Sequence, residues 1–285
     1  MRLVQDISEM KELALKARSS NKTVGFVPTM GYLHEGHLSL VRIAREKCGL
    51  LVVSIFVNPT QFVEGEDYDS YPRDMDLDMR LLDEESVDIA FLPGSEEMYP
   101  EDHSTSVEVE GLTSVLCGVS RPGHFRGVTT VVAKLFNIVK PHLAVFGEKD
   151  YQQAVVIKRM VRDLNMDTDI VMGPTVREED GLALSSRNLY LNEEERNDAS
   201  VLYESLLEGR RMVASGAADA SEVKSVVTKM IEGKDTARLD YVSVVHPEKL
   251  VELQRIEDEA VIAVAATFGK ARLIDNIRVF RKERN

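Results

Sequence analysis

The chain has 285 residues, of which 44% are hydrophobic and 29% charged, which suits one large domain or two modest ones around a real core. Its net charge of −13 argues against extended nucleic-acid binding, which rests on many phosphates neutralised by Lys and Arg, but leaves room for small anions held by a few placed donors. No apolar run approaches the roughly 20 residues that cross a bilayer. The first twenty residues read as an amphipathic helix and not as a signal peptide, so the cytoplasm is the expected compartment. Cys48 and Cys117 form no CxxC pair, which points away from disulfides and zinc and toward two small buried side chains.

Strand-like and helix-like stretches alternate from Thr23 to Met172. TVGFVPT (23–29) is a short apolar run, and HLSLVRIAREK (37–47) sets Leu38, Val41 and Ala44 on one helical face. LLVVSIFV (50–57) predicts a fully buried strand, 74–85 a helix, and DIAFLP (88–93) another strand. A helix over 128–140, a strand over 142–147, a helix over 151–164 and a strand over 168–173 complete the series. Such alternation implies crossover units and a Rossmann-like parallel α/β sheet covered on both faces. Gly173-Pro174 marks a break, so a domain over 1–175 is expected to precede a smaller α+β domain over 176–285. The latter shows helices at 194–214 and 221–231, then strands at 238–246, 260–268 and 271–280 suited to an antiparallel sheet.

Four segments could carry chemistry. In PTMGYLHEGHLSL (28–40) a strand meets a Gly-containing turn and a helix opens near Gly36 or His37, presenting backbone N–H groups to an anion. Gly31 and Gly36 permit close approach, and His34 and His37 could donate to phosphate oxygens. A metal pair competes, although the spacing is not the His-Glu-x-x-His of zinc proteases. In IFVNPTQF (55–62), Asn58 and Gln61 stand at a C-terminal strand edge, where open parallel sheets bind ligands; a plain Asn-Pro turn is the alternative. FGEKDYQQ (146–153) offers Lys149 for phosphate and Asp150 for a ribose hydroxyl or a helix cap. LALSSRNLYL (182–191) holds two serines and an arginine, which make either a phosphate clamp or a solvated loop. YPRDMDLDM and SRPGHFRGV add Asp74, Asp76, Asp78, Arg121, His124 and Arg126; acids near a triphosphate could hold Mg2+.

Together these segments resemble the pantothenate synthetase (pantoate–β-alanine ligase) family of the HxGH nucleotidyltransferase superfamily. PTMGxLHEGH, FVNPxQF, YPR, RPxHFxGV, FGEKDxQQ and DGLAxSSRNxYL occur in order over 20–195. The resemblance implies a homodimeric ligase that uses Mg-ATP to adenylate pantoate and passes the acyl group to β-alanine, giving pantothenate, AMP and pyrophosphate. It implies ATP contacts from Met30, Gly31, Tyr32, Leu33, His34, Glu35, Gly36 and His37, from Gly147, Glu148, Lys149 and Asp150, and from Val176, Leu184, Ser185, Ser186 and Arg187. His37, His34, Lys149, Ser185, Ser186 and Arg187 are the implied catalytic set. Gln61 and Gln153, with Asn58, Arg121 and His124, are implied to bind pantoate or β-alanine. Asp78 matches the magnesium candidate, although Leu77 stands where some relatives have a second acid. Rival readings are a nucleotidyltransferase making a dinucleotide-like product, a non-catalytic nucleotide-binding module, and a tRNA-dependent enzyme; the acidic charge speaks against the last.

Overall fold

The structure, a computed structural model, describes residues 1–63 and 65–281. The chain forms two compact units. One comprises Met1–Thr113, Arg121–Glu148 and Gln153–Pro174; the other comprises Ser114–Ser120, Lys149–Gln152 and the chain from Thr175 onward. The division is therefore not a single cut, because two short segments of the first half belong to the second unit.

The first unit is built on a parallel sheet of β1 (Arg2–Val4), β2 (Val24–Thr29), β3 (Leu50–Ile55), β4 (Ile89–Phe91), β5 (Leu143–Gly147) and β6 (Asp169–Gly173), ordered β1-β4-β3-β2-β5-β6. The central strands are apolar on both faces because helices cover both. Val27, Val53 and Ile55 pack with Leu40, Val41, Ala44 and Leu82 on one side. Phe26 faces the other way and meets Phe136, of the helix His124–Val139, edge to face at 6.3 Å between ring centroids. After β2 the chain moves outward to β3, and later returns to add β5 on the opposite side of β2. The carboxyl ends of β2 and β5 thus flank a topological switch point, where such sheets leave a crevice.

Three elements depart from the sequence expectation. β1 is a strand and not part of a helix that begins at the N-terminus; its three residues are too few to show alternation, and pairing with β4 defines it. The helix expected at 128–140 starts at His124, because Gly123 adopts φ +86° and lets the chain turn into it there. The helix expected at 194–214 is two, Glu193–Ala199 and Val201–Ala214, with the Ser200 hydroxyl donating back to the Asn197 carbonyl at 2.9 Å.

The second unit carries an antiparallel sheet of β7 (Ala237–Val245), β8 (Glu259–Phe268) and β9 (Ala271–Phe280), with β8 central. Leu202, Leu206, Val223, Val227 and Ile231 of its helices close over Ile262, Val264 and Ala266. No helix among the described residues is long and apolar enough to cross a membrane.

Candidate active site

The loop after β2 folds on its own polar groups. The Thr29 hydroxyl donates to the Ser54 carbonyl at 2.8 Å and accepts from Gly31 N–H at 3.2 Å, tying the loop to β3. Gly31 (φ +82°) and Tyr32 (φ +50°) both take left-handed backbone. A Cβ on Gly31 would come within 2.9 Å of Ile55 and 3.0 Å of the Asp78 carboxylate, so the glycine serves internal packing as much as ligand approach. The Asp78 carboxylate is buried and accepts from the main-chain N–H groups of Tyr32 at 2.9 Å and Leu33 at 2.7 Å. Burial pushes its carboxyl above the usual range, against the pull of those two donors.

His34 is the N-cap of the helix Glu35–Arg45, which opens slightly earlier than expected. Its Nδ1 accepts from Gly36 N–H at 3.2 Å, and His37 Nδ1 accepts from His34 N–H at 3.4 Å, a capping box made of two imidazoles. A ring nitrogen that accepts carries no proton, so in both neutral rings the proton sits on Nε2. The rings lie 4.1 Å apart, so the fold sets two N–H donors side by side at the positive end of a helix. Glu35 is turned outward, where Arg42 binds its carboxylate and holds it below the usual range.

Past β3, Asn58 is 1% exposed and fully engaged. Its side chain accepts from Thr60 and donates to the Gly127 carbonyl and to Gln61 Oε1, each of the latter at 3.2 Å. Gln61 Nε2 in turn donates to the Met30 sulfur at 3.0 Å, so the carboxamide is oriented at both ends. His124 and Arg121 work on the same segment. His124 Nδ1 donates to the Gln61 carbonyl at 2.7 Å, and Arg121 Nη1 lies 3.0 Å from His124 Nε2. Arg121 also grips Glu66 through two nitrogens at 2.5 and 2.7 Å. The expected substrate contacts Asn58, Arg121 and His124 are thus linked through one network: Asn58 to Thr60, Gln61 and Gly127, His124 to the Gln61 carbonyl, and Arg121 chiefly to Glu66 and His124. Gln153 is half-buried on the helix Tyr151–Asp163, while its neighbour Gln152 is structural, holding Cys117 N–H and the Val115 carbonyl at 3.0 and 2.7 Å.

Within the second unit, Lys149 and Asp150 lie in a tight turn, with Lys149 Nζ 3.7 Å from the Asp150 carboxylate. Ser185 caps the turn Ser186–Tyr190 by accepting from Arg187 N–H at 3.3 Å. The Val176 carbonyl accepts from Leu184 N–H at 3.0 Å, and Arg177 bridges Ala183, so residues 176–184 form a small hairpin that delivers the two serines. Two consecutive residues of β9 hold these segments. Asp275 binds Arg177 through both oxygens at 2.6 and 2.9 Å, and Asn276 donates to the Lys149 carbonyl at 2.9 Å. Arg177 also stacks 3.7 Å above the Tyr203 ring. Sequence reading missed Arg177, Asp275 and Asn276 because their partners are distant in the chain; the polar pair Asp275-Asn276 inside β9 was the one trace.

Among the described residues no cluster of three or more His, Cys, Asp or Glu is placed to hold a metal ion. The expected magnesium contact at Asp78 does not fit this geometry, since the carboxylate is 1% exposed and both its oxygens face main-chain donors. Magnesium keeps several waters and needs open oxygens.

A family model described as Pantoate-beta-alanine ligase matches residues 2–278. The chain belongs to the pantoate-beta-alanine ligase family. It is similar to the pantothenate synthetase of Thermotoga neapolitana, at 55% identity over 97% of this chain and 99% of the relative. Among solved structures, the pantothenate synthetase of Thermus thermophilus superposes with a TM-score of 0.92 at 50% identity, covering 98% of this chain and 100% of the other. The pantoate-beta-alanine ligase of Francisella tularensis, complexed with beta-gamma ATP and beta-alanine, gives a TM-score of 0.80 at 35% identity, covering 99% and 98%. Pantoate-beta-alanine ligases are enzymes of the amide-forming class, and this chain is one of them.

Proposed function

We propose that this chain joins pantoate to β-alanine at the expense of ATP in two steps at the edge carrying His34 and His37. A pantoate carboxylate oxygen attacks the α-phosphorus of ATP and the bond to pyrophosphate breaks, leaving pantoyl adenylate. The β-alanine amine then attacks the acyl carbon, AMP leaves, and the amine proton passes to solvent, giving pantothenate. The observation that carries this reading is the pair of imidazoles whose Nδ1 atoms are tied into the helix cap, fixing two Nε2–H donors for phosphate oxygens. The similarity to a ligase complexed with beta-gamma ATP and beta-alanine supports the same substrates here.

In this reading the loop from Met30 to His37, the turn Gly147–Glu148–Lys149–Asp150, Val176 and the segment Leu184–Ser185–Ser186–Arg187 take ATP, which arrives as its magnesium complex with the ion on the phosphates. Gln61 and Gln153 take pantoate, with Gln61 also near β-alanine. The first unit is then the nucleotide- and pantoate-binding domain. Neither step needs a covalent enzyme intermediate, so orientation, worth ~7–11 kcal/mol, and phosphate-charge stabilisation carry the rate. His37 acts as a neutral Nε2–H donor to the α-phosphoryl oxygens, because a proton on Nδ1 would face the His34 N–H. A homodimer and a cytoplasmic location belong to the same reading. The test is AMP release from ATP and pantoate with and without β-alanine. AMP should depend on β-alanine and match pantothenate mole for mole, and β-alanine-independent release, or none, would overturn the proposal.

A further inference from the structure

The helix Met75–Glu84 takes no part in the anion site by itself, yet its Asp78 is among the most buried acids of the first unit. The helix is fixed independently: Asp74 caps it by accepting from Leu77 N–H at 3.0 Å, and Leu82 is wholly buried in the core beside β3. Asp78 therefore comes to the β2 loop on a rigid element. It meets the loop where the backbone is least comfortable, since Tyr32 is a non-glycine residue at φ +50° next to Gly31 at φ +82°. The turn through these residues points the N–H groups of Tyr32 and Leu33 at one acceptor, and such a turn of converging N–H groups is a nest for an anion. Here the nest is filled from within by Asp78, with one oxygen on Tyr32 N–H at 2.9 Å and the other on Leu33 N–H at 2.7 Å. The next residue is His34, whose ring caps the following helix and whose N–H orients His37.

We propose that Asp78 is a positioning residue for the nucleotide loop, an internal anion that holds the turn at Tyr32 and Leu33 so that both imidazoles face the phosphates, and that it is not a magnesium ligand. The inference rests on the reading of this loop as the ATP site, but its first measurement does not use activity. The chain of cause is short. Without the carboxylate the two N–H groups lose their acceptor, the left-handed turn relaxes, and the His34 cap is no longer delivered at the same angle.

The experiment compares the parent with Asp78→Asn, which keeps shape but turns an amide N–H toward one of the two donors. Amide exchange of Tyr32 and Leu33 is followed by NMR, and ATP affinity is measured in EDTA, where no metal takes part. Expected are exchange at both amides faster by about tenfold or more, as for loss of a charge-assisted hydrogen bond. ATP binding without metal should weaken by a similar factor, with no change in the magnesium concentration giving half-maximal turnover. Unchanged exchange and metal-free affinity with a raised magnesium midpoint would overturn the proposal. Should the variant fail to fold, the parent alone decides. Protection of Tyr32 and Leu33 in metal-free protein, unaltered by added MgATP, supports it, and release of those amides when MgATP binds refutes it.

Discussion

The loop after β2 and the hairpin before Ser185 are each braced by one buried acid, but the partners differ. Asp78 holds main-chain N–H groups, whereas Asp275 holds the guanidinium of Arg177. Removing Asp78 leaves two neutral amides without an acceptor; removing Asp275 leaves a cation with 16% side-chain exposure and nothing of opposite sign in its place. The first brace is thus a matter of geometry and the second of charge. This difference predicts that the two fail in distinct ways, one in ligand affinity and the other in folding stability.

The largest effect should fall on the charged brace. Asp275→Ala is expected to destabilise the protein by about 3–5 kcal/mol, the usual result of stranding one member of a buried pair. Urea unfolding followed through the second unit measures it. The double change Arg177→Met with Asp275→Leu should recover most of the loss, because no buried charge then lacks its partner. A single variant costing under ~1 kcal/mol would erase the contrast between the two braces.

Next comes the geometric side of the comparison. His37→Ala removes one of the two fixed Nε2–H donors and should slow adenylation about 10²–10³-fold, as for an oxyanion-hole donor. Amide formation from preformed pantoyl adenylate should fall far less, because β-alanine attacks at carbon and not at phosphorus. Single-turnover pyrophosphate and pantothenate release separate the two steps, and equal losses would sink this division of labour. Stability should fall by only about 1 kcal/mol, the scale of a lost helix cap, in contrast to Asp275→Ala.

The same contrast explains what the sequence disclosed. The apolar runs at 50–57 and 142–147 declared buried parallel strands, because a strand covered on both faces has no polar side to blur its pattern. The pair His34 and His37 was legible because both lie within one turn of chain. Asp78 was noticed as an acid and assigned to a metal, since nothing in a sequence shows that a carboxylate faces two main-chain donors contributed by other residues. The contacts of Arg121 and His124 were hidden for the same reason: their partners, Glu66 and the Gln61 carbonyl, lie 55 and 63 positions away. Arg177 lay just past the expected domain break and was not singled out, and its partner Asp275 is 98 residues on.

A smaller effect should follow from crowding the Gln61 segment. A Cβ on Gly127 would lie 2.2 Å from the Thr60 carbonyl oxygen and 2.7 Å from Gln61 Cα, too close for either to remain in place. Gly127→Ala should therefore cost about 1–3 kcal/mol of stability as an overpacked contact. It should also raise KM for pantoate more than KM for ATP, since the displaced atoms belong to Gln61 and not to the β2 loop. Equal changes in both constants would mean that the segment does not serve pantoate alone.

The smallest effect tests whether the Gln61 segment is braced by charge, as the second unit is, or by shape. Burial pushes the Glu66 carboxyl up, yet the Arg121 guanidinium outweighs it and holds the group below the ordinary 4.5. A carboxyl lowered by folding adds stability that is fully present above its unfolded value and is lost as pH falls through the folded one. The thermal midpoint of the parent should therefore drop more steeply below pH ~4.5 than that of Glu66→Gln. The variant should start lower at neutral pH by about 1 kcal/mol, the scale of a partly exposed pair. Parallel acid limbs would show that Arg121 needs only a hydrogen-bond acceptor at this position, which would place the segment with Asp78 and its neutral partners instead of with Asp275.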